Sequence, residues 1–331
     1  MVHIKKFDEF INEGRINEMG MADFATAKDE LARKYNLTLN PTTSLYDCDG
    51  DVEVKNDLVK DGRLVIKFGT VEGRFICDGN NLISLEGCPQ KVGGDFACIN
   101  SNLTSLEGAP QEIGGEFYCG FNNLSSLKGA PREVGKDFYC HNNKLTSLEG
   151  APHSVGGNFD CSNNSLTSLK GAPRSVGGYF NCSFNKLTSL EGVPEKVGGD
   201  FSCNNNKLTS LVGAPREVGK GFYCSNNSLT TLKGAPQKVG MGWSFDCSNN
   251  KLTTLEGAPQ KVGGFICSNN ILTSLEGAPQ KVGGNFACNE NPNLTYDEAH
   301  FYGFLPDVIG GELKADNGCD YKLAKTYYKK R

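Results

Sequence analysis

The sequence predicts a mainly β solenoid, a stack of about eleven short parallel-strand coils with a small cap at each end. Three columns of residues predict it. Cys77, Cys98, Cys119, Cys140, Cys161, Cys182, Cys203, Cys224, Cys247, Cys267 and Cys288 recur at steps of 21 residues, with one step of 23 and one of 20. A phenylalanine precedes the cysteine by two positions, as Phe159 precedes Cys161, and an asparagine follows it by three, as Asn164 does, with Ser101 as the interruption.

Within a coil the order is Leu145, Leu148, Gly150, Pro152, Val155, Gly156, Gly157, Phe159, Cys161, Asn164. Phe159 and Cys161 leave a strand on the same face and Asp160 leaves on the other, because side chains alternate along extended backbone. Parallel strands then stack from coil to coil. The recurring asparagine is placed to pair backbone groups that the turn after the strand would bury unsatisfied. The Gly-x-Pro step and the Gly-Gly pair suit tight corners and oppose helix, so few helices are expected inside the repeats.

The last part of the coil matches the pattern L-x-x-L-x-L-x-x-N-x-L, which makes the stack leucine-rich-repeat-like. The unit Leu-Thr-Ser-Leu-Glu-Gly-Ala-Pro-x-x-Val-Gly-Gly-x-Phe-x-Cys-x-x-Asn resembles the leucine-rich-repeat proteins common in large tailed bacteriophages. More distantly it resembles the short-repeat leucine-rich effectors of pathogenic bacteria. The resemblance covers Val71 to Leu294 and implies a scaffold, which fixes no activity by itself.

Four segments follow: 1–18 as a targeting or processing leader, 19–70 as an N-terminal helix and degenerate capping coil, 71–294 as the solenoid, and 295–331 as a C-terminal cap with a basic tail. Phe7, Phe10 and Ile11 share one helical face, and Ile11-Asn12-Glu13 and Ile16-Asn17-Glu18 follow. This stretch resembles the capsid-targeting peptide of phage internal proteins, which a prohead protease cuts after the glutamate of an Ile/Leu-x-Glu sequence. Glu13 and Glu18 are then the processing positions, and the protein travels in the virion into the bacterial host cytoplasm. The alternative is an ordinary amphipathic leader or capping helix. A second helix is expected from Met21 to Tyr35, with Phe24, Ala27, Leu31 and Ala32 at helical spacing. At the other end Tyr296, Phe301, Tyr302 and Phe304 leave the repeat as a cap, and Lys322, Lys325, Lys329, Lys330 and Arg331 form a solvated basic tail.

The chain has 331 residues, a formal net charge of −4, 38% hydrophobic and 22% charged residues, values of a water-soluble protein. No apolar run reaches the ~20 residues of a membrane span, so no membrane partner is expected. The cysteine column reads as buried core thiols, since there is no Cys-x-x-Cys to bind metal. Asp47, Asp49 and Asp51 imitate the start of a calcium loop. Val52 then replaces the required glycine and Leu58 the required glutamate. His3, His141, His153 and His300 fall at unrelated phases, and too few residues follow the last repeat for Cys319 to serve a ligase domain. No catalytic residue, metal or cofactor is expected, and the chain is read as a monomer.

The outward residues of the strands form the surface to read for binding. Glu116, Tyr118, Phe121, Asp137, Tyr139, Asp160, Tyr179, Phe184 and Tyr223 give an acidic, aromatic patch there. Such a patch selects a protein partner with a basic surface, because aromatic anchors carry interface energy and carboxylates repel a phosphate backbone. Lys91, Arg132, Arg174, Arg216, Lys238, Lys261 and Lys281 make a second, basic edge. That edge is the route for nucleic-acid binding, which the interspersed glutamates Glu112, Glu133 and Glu217 disfavour.

Overall fold

The computed structural model describes residues 21–329. Glu13 and Glu18 lie outside the described residues. The chain divides into two compact units, Met1–Lys144 with Gly150–Pro152, and Leu145–Glu149 with His153–Arg331.

Both units are built from the same coil. In the first, Val52–Glu53, Phe75–Ile76, Phe96–Ala97, Phe117–Tyr118 and Phe138–Tyr139 pair in parallel, with Phe117 opposite both Phe96 and Phe138. In the second the same register runs from Phe159–Asp160 through Phe180–Asn181, Phe201–Ser202, Phe222–Tyr223, Ser244–Asp246, Gly264–Ile266 and Phe286–Ala287 to Leu313–Lys314. The fold is a leucine-rich-repeat-like parallel-strand solenoid.

The core follows from this register. Every phenylalanine of the column is fully buried, as are the cysteines two residues on and the two leucines of each coil. Equivalent rings stack between coils, at 5.1 Å for Phe117 and Phe138 and at 5.3 Å for Phe201 and Phe222. Thiols of the column sit against carbonyls of the next coil, Cys77 on Ala97 at 3.1 Å and Cys224 on Asp246 at 3.2 Å. All fourteen cysteines are free and buried, and burial pushes the thiols of Cys119, Cys203 and Cys247 well above their ordinary range. Burial of this kind disfavours the thiolate at these three positions.

The asparagine column closes the turn. Asn185 donates through Nδ2 to the carbonyls of Cys161, Cys182 and Ser183 at 3.1–3.2 Å, and its Oδ1 accepts the Leu166 N–H at 2.9 Å. One amide thus satisfies four backbone groups from two adjacent coils. Ser101 keeps part of this function, its hydroxyl donating to the Cys77 carbonyl at 3.0 Å.

A second strand in each coil was not expected from the sequence. Lys91–Val92 pairs in parallel with Glu112–Ile113 in the first unit, and Ser154–Val155 pairs with Ser175–Val176 in the second. The Gly-Gly pair turns the chain from this strand to the phenylalanine strand. A Cβ on Gly198 would lie 2.0 Å from the Gly177 carbonyl oxygen, so the corner admits only glycine. The one long coil, with a step of 23, spends its insertion on a turn at Met241–Trp243, where the Trp243 N–H bonds the Gly240 carbonyl. The next coil is one residue short, and the N–H groups of Gly263 and Gly264 both donate to the Trp243 carbonyl.

The ends use the coil register with different residues. Val52 takes the phenylalanine position opposite Phe75, and Leu313 takes it opposite Phe286. Helix α1, Met21–Lys34, buries Ala27 and Leu31. It is followed by Tyr35, whose hydroxyl donates to Asp57 at 2.6 Å. Phe301 and Tyr302 are buried near the C-terminal end, with Tyr296 4.7 Å from Phe301. The basic tail is helical, Tyr321–Lys329 forming helix α2, with Lys322 and Lys325 exposed. Asp320 caps it, its Oδ1 accepting the N–H groups of Lys322 and Leu323 at 2.9 and 3.0 Å, as an N-cap carboxylate does.

Candidate protein-binding face

In the first unit the strand positions bring Glu116, Tyr118, Asp137 and Tyr139 side by side, because Phe117–Tyr118 pairs in register with Phe138–Tyr139. The two tyrosine rings stack at 5.0 Å and 13°. Their hydroxyls point at carboxylates two residues back: Tyr118 donates to Glu116, and Tyr139 donates to Asp137 at 2.6 Å. The tyrosines are half-buried, lying along the face rather than standing from it as fully exposed anchors.

Phe121 extends this surface by way of His141, which sequence reading set aside. The His141 ring meets Phe121 edge-on at 5.2 Å and 87°, and Tyr139 at 6.2 Å and 84°. It fits because Gly120 stands opposite, where a Cβ would come within 3.0 Å of the imidazole. Phe121, His141, Tyr139 and Tyr118 therefore form one aromatic ledge, with Glu116 and Asp137 along it.

Electrostatics along the ledge are one-sided. Burial raises the Glu116 carboxyl above its ordinary value, and the negative Asp137 and Asp95 raise it further, with Lys136 opposing. A cation brought there relieves that repulsion. Not every carboxylate on the face is available for it. Asp95 Oδ1 accepts the Glu116 N–H at 2.9 Å, so this side chain also holds the next coil's corner.

Phe121 is the least ordinary residue of the ledge. It is 54% exposed and its φ is 54°. At the same phase Asn100, Asn142, Asn163, Asn205, Asn226, Asn249 and Asn269 adopt this left-handed conformation, which asparagine tolerates. A bulky L residue there costs roughly 1–2 kcal/mol. Here more than half of the ring stays in solvent, and its ring contact is the His141 edge. Phe184 repeats the arrangement in the second unit, with φ 56° and the same exposure.

The remaining residues of the patch, Asp160, Tyr179, Phe184 and Tyr223, belong to the second unit. Asp160 accepts the Ser162 N–H at 2.9 Å and the Asn181 amide at 3.2 Å. Tyr223 is half-buried across Gly221, whose Cβ would fall 2.4 Å from the tyrosine hydroxyl. Burial raises its pKa, helped by Asp200 and Asp246. Another exposed aromatic, Trp243, is in this unit and carries Lys220 5.1 Å above its ring.

No family model matches the chain, and no curated protein matches it. Among solved structures it is similar to YopM from Yersinia enterocolitica WA-314, with a TM-score of 0.46 and 19% identity over 81% of this chain. The chain spans 62% of the length of that protein. It is also similar to the APL1 leucine-rich repeat domain, with a TM-score of 0.31 and 14% identity, covering 82% of this chain and 98% of that one. Neither likeness extends to activity.

The other sequence candidates are absorbed into the fold. Asp47 accepts the Asn40 amide at 3.1 Å and the Thr70 N–H at 2.7 Å, and Asp51 takes both Nε and Nη2 of Arg74. Among the described residues no group of three or more His, Cys, Asp or Glu is placed to hold a metal ion, and no helix is long and apolar enough to cross a membrane. On the basic edge Glu217 lies between Lys196 at 3.1 Å and Lys238 at 3.0 Å, and Lys91 approaches Glu112 at 4.0 Å. These glutamates dilute the field that a nucleic acid would need.

Proposed function

We propose that the chain is a non-enzymatic protein-binding scaffold that engages a basic partner through the outward strand face, with Glu116, Tyr118, Phe121, Asp137 and Tyr139 at the contact. The observation that carries this reading is Phe121. A large apolar ring held in a left-handed backbone conformation and more than half exposed carries a strain against which the fold sets only its edge contact with His141. Residues kept against stability in this way are typical of binding surfaces. The stacked tyrosines beside it supply rigid contact area, and the carboxylates supply charge selection.

The finer form of the proposal is a phage-encoded effector or inhibitor acting on a host protein in the bacterial cytoplasm, carried in the virion and trimmed after Glu13 or Glu18. It rests on the resemblance of the repeat and of the leading segment. A structural role in the virion is the alternative within that form.

Site-specific photo-cross-linking in bacterial cells tests the reading. A photoreactive residue in place of Tyr118 should yield a discrete adduct with a basic protein, and the adduct should disappear when Phe121→Asn is added. The same residue in place of Arg132, on the basic edge, should not give that adduct. Adducts from position 132 alone, or adducts with nucleic acid, would move the binding surface to the edge.

A further inference from the structure

We infer that the second unit docks a second copy of this chain, the Met241–Trp243 finger of each copy seating in a notch between Val212 and Ala235 of the other. The inference is independent of the ledge in the first unit, and it replaces the monomer expected from the sequence with a symmetric pair.

The finger is held in shape by its own coil and the next. The coil between Cys224 and Cys247 is two residues longer than the 21-residue repeat, and the extra length projects Met241 and Trp243, which are 65% and 44% exposed. The Trp243 N–H donates to the Gly240 carbonyl at 2.9 Å, and the Trp243 carbonyl accepts the N–H groups of Gly263 and Gly264 at 2.9 and 3.1 Å. A Cβ on Gly263 would lie 2.3 Å from the Trp243 nitrogen, so the next coil leaves room for the finger. A preorganised apolar projection binds with little ordering cost.

The notch lies between that coil and the one before, and it too departs from the repeat. The residue after the second leucine is glutamate or lysine in the other coils, as Glu191 and Lys233 are on either side, and here it is the exposed Val212. Val212, Ala214, Pro215 and Ala235 give a cavity of about 380 Å³ an apolar floor, and Arg216 and Lys233 add cations to its lining. An apolar floor with cations beside it selects an aromatic ring, indole above the others.

Finger and notch also match in charge. The exposed Lys220 lies 5.1 Å from the centre of the Trp243 ring and travels with the finger. Glu191 is exposed beside the notch, its backbone nitrogen 2.5 Å from where a Cβ on Gly213 would stand. The acid of one copy therefore meets the base of the other.

The placement of the two sites favours a second copy as the occupant. Gln237 lines the notch, the strand Lys238–Val239 follows it, and the finger comes next, so the sites stand about 7 Å apart along the chain. Within one copy that strand keeps finger and notch apart. A two-fold axis between them brings each finger to the other copy's notch at once, which is the isologous arrangement of symmetric dimers.

Sedimentation velocity of the full chain over a range of concentrations tests the inference, with the emission of Trp243, the one tryptophan of the sequence, read in parallel. The wild type should pass reversibly from monomer to dimer and no further, and acrylamide quenching of Trp243 should fall as the dimer forms. Val212→Glu, which installs the residue that Glu191 provides one coil earlier, and Trp243→Ala should each weaken dimerisation by about tenfold or more. An equal mixture of the two variants keeps one finger and one notch that fit, so it should associate more tightly than either variant alone. Phe121→Asn should dimerise as the wild type does, which separates this result from the fate of the ledge. A monomer at every concentration would overturn the inference, and so would a dimer indifferent to both substitutions. Association beyond the dimer, or a mixture no tighter than its components, would overturn the two-fold pairing of these sites.

Discussion

Raising the pH through the ordinary thiol range should unfold the second unit abruptly. Cys182, Cys203, Cys224, Cys247, Cys267 and Cys288 are all buried in the column, and burial raises each thiol above its ordinary pKa. In the unfolded chain a thiol ionises at about pH 8.5. Above that point the unfolded state releases protons that the folded state keeps, so stability falls as pH rises, by about 1.4 kcal/mol per thiol for each pH unit. The contribution is fully present below the ordinary thiol pKa and would level off only at the raised folded value. Six thiols together remove, within roughly one to two pH units, an amount comparable with the ~5–15 kcal/mol that holds a domain folded. Circular dichroism and thiolate absorbance, recorded together in reducing buffer, should change in one cooperative step. Replacing Cys203 and Cys224 with alanine should move that step to higher pH. Thiolate absorbance that rises gradually while the dichroism stays native would mean that the column is solvent-accessible.

Phe201→Ala should cost ~3–5 kcal/mol in urea unfolding, because a large ring leaves a fully buried site. Phe180 at 5.6 Å and Phe222 at 5.3 Å flank it, and their positions are fixed by strand register. The backbone at the Gly198 corner is already in close approach, which limits collapse into the vacancy. A cost under about 1 kcal/mol would mean that the column relaxes freely and that ring stacking contributes little.

Much of this fold was legible because a 21-residue repeat puts each core residue at one phase. Phe159, Cys161 and Asn164 each announce a distinct physical role, and the structure places all three as their spacing implied. The Ser154–Val155 type of strand was not legible. It is two residues long and contributes one buried valine, too little alternation to register as extended chain. The coil at Leu313 was hidden for another reason. Ile309-Gly310-Gly311-Glu312-Leu313-Lys314-Ala315 does match the Val-Gly-Gly-x-Phe-x-Cys pattern, but alanine replaces the marker cysteine and the segment around Tyr302 breaks the count.

The candidate site was legible as composition and not as geometry. Tyr118 and Tyr139 could be placed on the outward face from strand alternation alone. That Phe121 occupies a left-handed position could have been inferred from the asparagines that fill the same phase elsewhere, since asparagine is the residue that tolerates it. His141 carried a similar signal. It stands where Ser162, Ser183 and Ser225 stand in other coils, directly after the cysteine and beside a glycine in place of a side chain. Its ring partners are Phe121 and Tyr139, not other histidines.

On this reading Phe121 serves a partner and not the fold. Phe121→Asn, compared with the wild-type chain in urea unfolding and in binding to the cross-linked partner, tests this most directly. Stability should be unchanged or rise by up to about 1 kcal/mol, as the left-handed strain is relieved, while affinity for the partner falls. A variant that loses more than about 1 kcal/mol of stability and binds as the wild type does would contradict it.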